Sequence, residues 1–300
     1  MKKHKKFKIF SIIFCAVLLL FLAFPIIKYF TGYKIYSNIS YGESVNNVID
    51  IYIPSSAKNK RSSGFVLFIH GGSWMAGDKS EEDARCRLLA SHGYVTATLN
   101  YTLYSKETAS NYNVFKVLNE IDLALLKVKN FALEKGVNLQ KAGISGYSAG
   151  AHLAMLYSYS RAKTAPLEIV FTASMAGPAI IEKDVWGIDL TTQIATILSG
   201  QTVTSEMVEN GTANEILSKI SPVSYINENS VKTLIIHGKK DDIVSIKNAQ
   251  AVIQKLEENG VDYEYFCLEN STHSLAHNPF KHLEFLKSLL SNTKKAIKEF

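Results

Sequence analysis

Two rhythms of apolar residues alternate along this chain. Short, densely apolar runs read as buried strands: GFVLFIHGG (64–72), YVTATLNY (94–101), KAGISGYS (141–148), EIVFTAS (168–174), KTLIIHG (232–238) and DYEYFCL (262–268). Between them, 80–92, 115–135, 149–161, 245–259 and 279–291 space their apolar residues three and four apart, which predicts amphipathic helices. His92-Gly93 resembles a helix stop, because glycine takes the left-handed conformation that ends a helix at no steric cost. Strands alternating with helices predict an α/β fold: right-handed crossovers and a mostly parallel sheet covered on both faces. The run VIDIYIP near 48–53 is expected on an antiparallel edge. Residues 178–226 break the rhythm and are too long for a loop, which predicts a small helical insertion lying over one end of the sheet. No internal repeat or low-complexity segment is present.

The first thirty residues follow a different logic. From Ile9 to Ile27 only Ser11 and Pro25 interrupt 19 residues of apolar sequence. At about 1.5 Å per residue such a helix spans roughly 28 Å, close to the hydrocarbon thickness of a bilayer. Lysines 2, 3, 5, 6 and 8 precede it, which predicts a cytoplasmic N-terminus and a chain body outside. A cleaved signal peptide would have a shorter apolar core and small residues before its cleavage point. Phe21-Leu22-Ala23 supplies no such site, so an uncleaved anchor is expected. The predicted organisation is a basic tail (1–8), a transmembrane anchor (9–30), a tether (31–40), a catalytic domain (41–292) and a short C-terminal tail (293–300).

This division changes the meaning of the charge. The chain carries a formal +6, but seven lysines precede the first acid, Glu43. From residue 35 onward 26 basic residues face 27 acidic ones, so the body has no basic footprint for nucleic acid. With Cys15 in the anchor, Cys86 and Cys267 remain, far apart and outside any C-x-x-C pattern. That argues against a cysteine metal site and for two buried free thiols.

Candidate chemistry sits where strands end, since ligands of a parallel sheet gather at its carboxyl edge. GYSAG (146–150) places Ser148 between a strand and a helix, with glycines on both sides where a tight turn needs small residues. A serine hydroxyl becomes a useful nucleophile only when a base takes its proton, and a histidine base needs a carboxylate to orient it. Asp241 and Asp242 follow one strand and His273 follows the next, in the order serine, acid, histidine. HGGSW (70–74) follows an early strand, and its Gly71 and Gly72 can turn backbone N–H groups toward an oxyanion, with the amide of Ala149 as a further donor.

These segments resemble the α/β-hydrolases of the acetyl esterase and lipase type, near the bifunctional feruloyl and acetyl-xylan esterases. HGGSWMAGDKS, NYTL, GYSAGAHLA, SPVSYI and HGKKDDIVS match in order, over roughly residues 40–290. The resemblance implies ester hydrolysis through a covalent acyl-enzyme, without cofactor or metal, on a small-molecule or carbohydrate ester. It assigns the acid to Asp241, the first acid of the H-G-x-x-D-x-x-V-P pattern. Two positions depart from that pattern: Ser245 replaces its proline, and Thr272 stands where a glycine usually precedes the histidine.

Weaker readings sit beside each of these. Asp242 and His277 are the alternatives to Asp241 and His273, expected as a solvated or capping carboxylate and a surface residue. His273 and His277, four apart, imitate a zinc pair but lack the glutamate of that motif. His70 is expected to brace the glycine loop, Asp78 to hold the chain after it, and His152 to be packed in the core. Trp74 and Tyr147 are candidates for the substrate pocket, with Tyr101 and Trp186 open between pocket and core. The competing functions are a peptidase on the same fold and a catalytically silent binding protein.

Overall fold

A computed structural model describes residues 31–57 and 64–298. The basic tail and the expected anchor lie outside these residues. Among the described residues no helix is long and apolar enough to cross a membrane.

Eight strands form one sheet: β1 (Tyr33–Ser40), β2 (Val48–Pro54), β3 (Phe65–Ile69), β4 (Val95–Leu99), β5 (Lys141–Tyr147), β6 (Glu168–Met175), β7 (Lys232–Gly238) and β8 (Tyr263–Leu268). Their order is β1-β2-β4-β3-β5-β6-β7-β8. Pairing from β4 to β8 is parallel, whereas β1 and β2 run antiparallel. Every position of β3 and β4 is buried, as the densely apolar runs require. Side chains alternate between faces: Phe65, Leu67 and Ile69 join one apolar cluster, Val66 and Phe68 the other.

Helices α1 (Asp83–Ser91), α2 (Val114–Glu134), α3 (Ala149–Arg161), α8 (Lys247–Glu258) and α9 (Pro279–Lys298) follow the expected strand–helix rhythm. α2 and α3 pack on the Phe65–Leu67 face through Val117, Ile121 and Leu153. α1 and α9 pack on the opposite face through Leu89, Phe285 and Leu289. His92 and Gly93 end α1 as expected, with Gly93 at φ 94°. The 178–226 insertion contains α4 (Lys183–Trp186), α5 (Ile188–Ser199), α6 (Ser205–Glu209), α7 (Asn214–Ile220) and a 3-10 turn at 222–225.

Four expectations are corrected. The tether predicted over 31–40 is largely β1, whose residues pair with β2 from Tyr33↔Pro54 to Ser40↔Val48. β2 is therefore antiparallel but not an edge. The segment was hard to read because β1 alternates half-buried and exposed positions without a continuous apolar run. The C-terminal tail predicted from 293 is still α9, which carries buried Thr293. The two thiols are free, but only Cys86 is buried; Cys267 sits half-buried on the last strand.

Candidate active site

The β5–α3 junction places Ser148 at φ 53°, ψ −121°, a conformation that costs a non-glycine residue energy. The turn is held from both sides: the Ser148 amide donates to the Met175 carbonyl (2.8 Å) and its carbonyl accepts from the His152 amide (3.0 Å). Glycine is required on either side of it. A Cβ on Gly146 would lie 2.3 Å from the Gly150 backbone, and one on Gly150 would lie 2.1 Å from the Ile69 carbonyl oxygen. Ser148 is the N-cap of α3, so the Ala149 amide starts a helix whose first N–H groups have no intrahelical acceptor.

His273 reaches Ser148 from the loop after β8, its Nε2 lying 2.9 Å from Ser148 Oγ. Its Nδ1 lies 2.8 Å from Asp241 Oδ2. The Asp241 side chain is fully buried, and its Oδ1 accepts from the amides of Ile243 (3.0 Å) and Val244 (2.8 Å). Burial acts to raise the pKa of this carboxyl, but hydrogen bonds from His237, His273 and the Val244 amide outweigh it. The group is held well below the usual carboxylate range. With Asp241 ionised, Nδ1 of His273 carries the proton and Nε2 is left to accept from the serine hydroxyl. Gly238 lets the two loops meet: a Cβ there would lie 2.4 Å from the Ser271 carbonyl oxygen and 2.6 Å from that of Thr272.

The HGGSW segment folds back beside Ser148. A Cβ on Gly71 would come within 3.4 Å of Ser148 Cβ. Gly72 takes φ 106°, and its carbonyl accepts from the Met75 and Ala76 amides. Ser73 and Trp74 follow at φ 52° and 62°, a left-handed pair that non-glycine residues rarely form. His70 braces this loop: Nδ1 is 2.7 Å from the Gly71 carbonyl oxygen, and its ring stacks on Tyr101 at 4.5 Å. Asp78 accepts from the Ser80 amide and from Asn100 Nδ2, fixing the chain after the loop.

A cavity of about 180 Å³ opens over Ser148 and Ala149. Trp74, Trp186, Ile194, Ile197 and Val244 contribute apolar wall, and the partly exposed Met75, Leu190 and Ile243 stand around it. Trp74 lies on this wall. Tyr147 is not on the wall. Its ring lies 5.2 Å from that of His273 and its hydroxyl donates to the His273 carbonyl (2.8 Å), so it supports the histidine loop from behind. Tyr101 is core, whereas Trp186 faces the cavity.

The alternatives lie apart from this cluster. Asp242 and His277 are exposed. His152 is fully buried, donates from Nε2 to the Ile220 carbonyl (2.8 Å), and is pushed down to about 4 by burial. Among the described residues no group of histidine, cysteine or acidic side chains could hold a metal ion. Two participants were not foreseen. His237 packs its Nε2 3.4 Å from Asp241 Oδ2 and 2.8 Å from the Val244 carbonyl, which pins the acid's loop. Ser73 lines the same cavity as Ser148 and Ala149. Both lie inside segments already singled out, HGGSW and HGKKDDIVS, but only the fold shows what they touch.

An eight-stranded, mostly parallel sheet with a serine at a β–α elbow, and an acid and a histidine on the two following loops, defines an α/β-hydrolase. Solved structures support that class. The chain superposes on a truncated carbohydrate esterase from gut microbiota with a TM-score of 0.73 at 15% identity, covering 89% of this chain and 98% of that one. Esterase B from Lactobacillus rhamnosis gives 0.69 at 18% identity, with 95% of each chain covered. Residues 49–256 match the BD-FAE family model, and the chain belongs to that family. It is 22% identical over 82% of its length to a probable isoprenylcysteine alpha-carbonyl methylesterase of Oryza sativa subsp. japonica. Esterase LipQ of Mycobacterium tuberculosis is 23% identical over 79% of the chain. The chain spans 58% and 56% of the length of these two relatives.

Proposed function

We propose that the protein is a serine carboxylesterase that cleaves short-acyl esters through an acyl-enzyme. The observation that carries this reading is the chain of contacts Ser148 Oγ to His273 Nε2 (2.9 Å) and His273 Nδ1 to Asp241 (2.8 Å). His273 takes the hydroxyl proton as Ser148 Oγ attacks the ester carbonyl. Asp241 holds the imidazole in the accepting tautomer and stabilises the imidazolium. The amides of Gly71, Gly72 and Ala149, with Ser73 beside them, face the developing oxyanion. His273 then returns the proton to the departing alcohol. The same base activates water to release the acid and regenerate the serine.

The apolar cavity of about 180 Å³ supports an acyl group of a few carbons, acetyl to butyryl, seated among Trp74, Trp186 and Ile194. The structural neighbour titled a carbohydrate esterase, with the match to the BD-FAE family, makes acetylated or feruloylated carbohydrate a candidate substrate. We further propose that residues 9–30 anchor the protein as a single pass, with the catalytic domain outside the cytoplasm. The lysines before an apolar span support this reading. The complete serine, histidine and acid set weighs against a silent binding protein, and a peptidase on the same fold is the alternative that the assay below separates.

Labelling with a fluorophosphonate, followed by parallel assay of an ester and a peptide amide, tests the reading. Labelling of the wild type but not of Ser148→Ala, with turnover of the ester alone, is the expected result. An unlabelled wild type, or a faster amide reaction, would overturn it.

A further inference from the structure

α2 buries one face on the sheet through Val117, Ile121, Leu125 and Val128. Its opposite face should be polar, yet Leu123, Leu126 and Leu133 are 44%, 44% and 63% exposed. With Asn119 and Asn130, also exposed, they form a row at spacings of four, three, four and three residues. That is the period of a helix meeting another helix along a seam. Three of the other exposed apolar side chains, Met75, Leu190 and Ile243, stand around the active-site cavity and are explained by it. α2 contributes no residue to that cavity, so its row needs a different occupant.

We propose that α2 is a self-association surface on which a second copy of this chain lays its own α2 antiparallel. A two-fold axis between residues 124 and 125 sets Leu123 against the second copy's Leu126 and Asn119 against its Asn130. Each contact then occurs twice. Charge selects this direction. Lys116 and Glu134 are exposed near opposite ends of the helix, and the antiparallel arrangement sets each Lys116 opposite the second copy's Leu133, beside its Glu134. A parallel one stacks like on like. The flanks follow the same rule, with Glu120 and Asp122 in the first half and Lys127 and Lys129 in the second. Glu120 is already bonded to Thr102, and Asp122 to Arg161, so these flanks contribute field rather than new bonds. Asn119 accepts from Arg161 through Oδ1 (2.7 Å), which leaves its amide N–H groups to donate to Asn130 and fix the register.

The seam from 116 to 134 is about 27 Å long and one helix wide. That places the contact at the small, reversible end of specific interfaces. The full-length chain in detergent should therefore show concentration-dependent dimers in sedimentation equilibrium. Leu126→Glu removes two buried leucines per dimer and should weaken association about a hundredfold, with an unchanged melting temperature because the side chain is solvent-facing. Lys116→Glu and Glu134→Lys should each weaken it several-fold, and the double variant should restore it, because the reversed pair is again opposite in sign. A wild type that stays monomeric at all concentrations overturns the proposal, as does a dimer indifferent to Leu126→Glu. So does a double variant no better than the singles. A monomeric wild type whose binding to anionic phospholipid vesicles drops on Leu126→Glu would assign the face to a membrane surface instead.

Discussion

Replacing Asp241 by asparagine changes one atom and should remove most of the activity while leaving the fold intact. Asp241 Oδ1 accepts the amides of Ile243 and Val244, at 3.0 and 2.8 Å, so an asparagine must keep its carbonyl oxygen there. Its NH2 then falls at the Oδ2 position, 2.8 Å from His273 Nδ1. A donor facing Nδ1 forces the imidazole proton onto Nε2, the atom that must accept from Ser148 at 2.9 Å. The base is thus in the wrong tautomer, and the imidazolium has lost its counter-charge. A loss of about 10⁴-fold in kcat is expected, or roughly 5.5 kcal/mol of barrier. The cost to the fold is smaller, about 1 kcal/mol for one mismatched contact with His237, a shift of about 2–4 °C in melting temperature. The acid limb should change as well. The folded-state pKa of Asp241 is depressed, so its contribution is present above the unfolded value of about 3.9 and is lost as pH falls toward the lower folded value. Asp241→Asn should flatten that part of the stability profile. Asp242 is exposed, and Asp242→Asn should cost less than about tenfold. Initial rates on p-nitrophenyl acetate, paired with thermal melts from pH 3 to 7, measure all of this. An Asp241→Asn enzyme within tenfold of wild type, or a dead Asp242→Asn, would refute the reasoning.

Ser148→Ala and His273→Ala should each cost about 10⁶-fold in kcat, and the double variant little more, because they act as one unit; residual hydrolysis above the water rate should survive on the backbone donors. Lengthening the acyl group from acetyl to butyryl buries two methylenes in the apolar cavity and should raise kcat/KM by about 15-fold, after which longer chains fall away as the space fills; a continued rise to long chains would point to a lipase. Gly150→Ala should destabilise the protein severely, since its Cβ would sit 2.1 Å from the Ile69 carbonyl oxygen; a melt unchanged from wild type would contradict this close packing. Protease added to intact cells should degrade the catalytic domain, and its recovery in full length from the soluble fraction would rule out the anchored topology.

The parts of the molecule that were legible in the sequence are those where one residue type answers one physical demand. β3 to β7 read as strands because burial on both faces leaves no room for polar alternation, as in the wholly buried Phe65–Ile69. β1 looks like a tether in the sequence because a half-exposed outer strand obeys no such demand; its pairing with β2 depends on residues that leave little apolar trace. The elbow glycines were legible for the same reason as the core strands, since Gly146 and Gly150 sit where any Cβ collides with backbone.

The site divides along the same line. Ser148, Asp241 and His273 could be ordered along the chain because each must follow a strand at the sheet's carboxyl edge, and there the structure brings them within hydrogen-bond reach. The pocket wall could not be ordered this way. Leu190, Ile194 and Ile197 belong to α5, inside the helical insertion, and their periodicity is that of any amphipathic helix. Only the direction in which α5 crosses the sheet's end decides that this face meets Ser148. Tyr147 shows the converse. Next to Ser148 in sequence it looks like pocket, but successive residues of a strand point to opposite faces, and its hydroxyl ends on the carbonyl of His273. Proximity in sequence to the reacting group therefore predicts which residues hold the chemistry in place better than which residues touch the substrate.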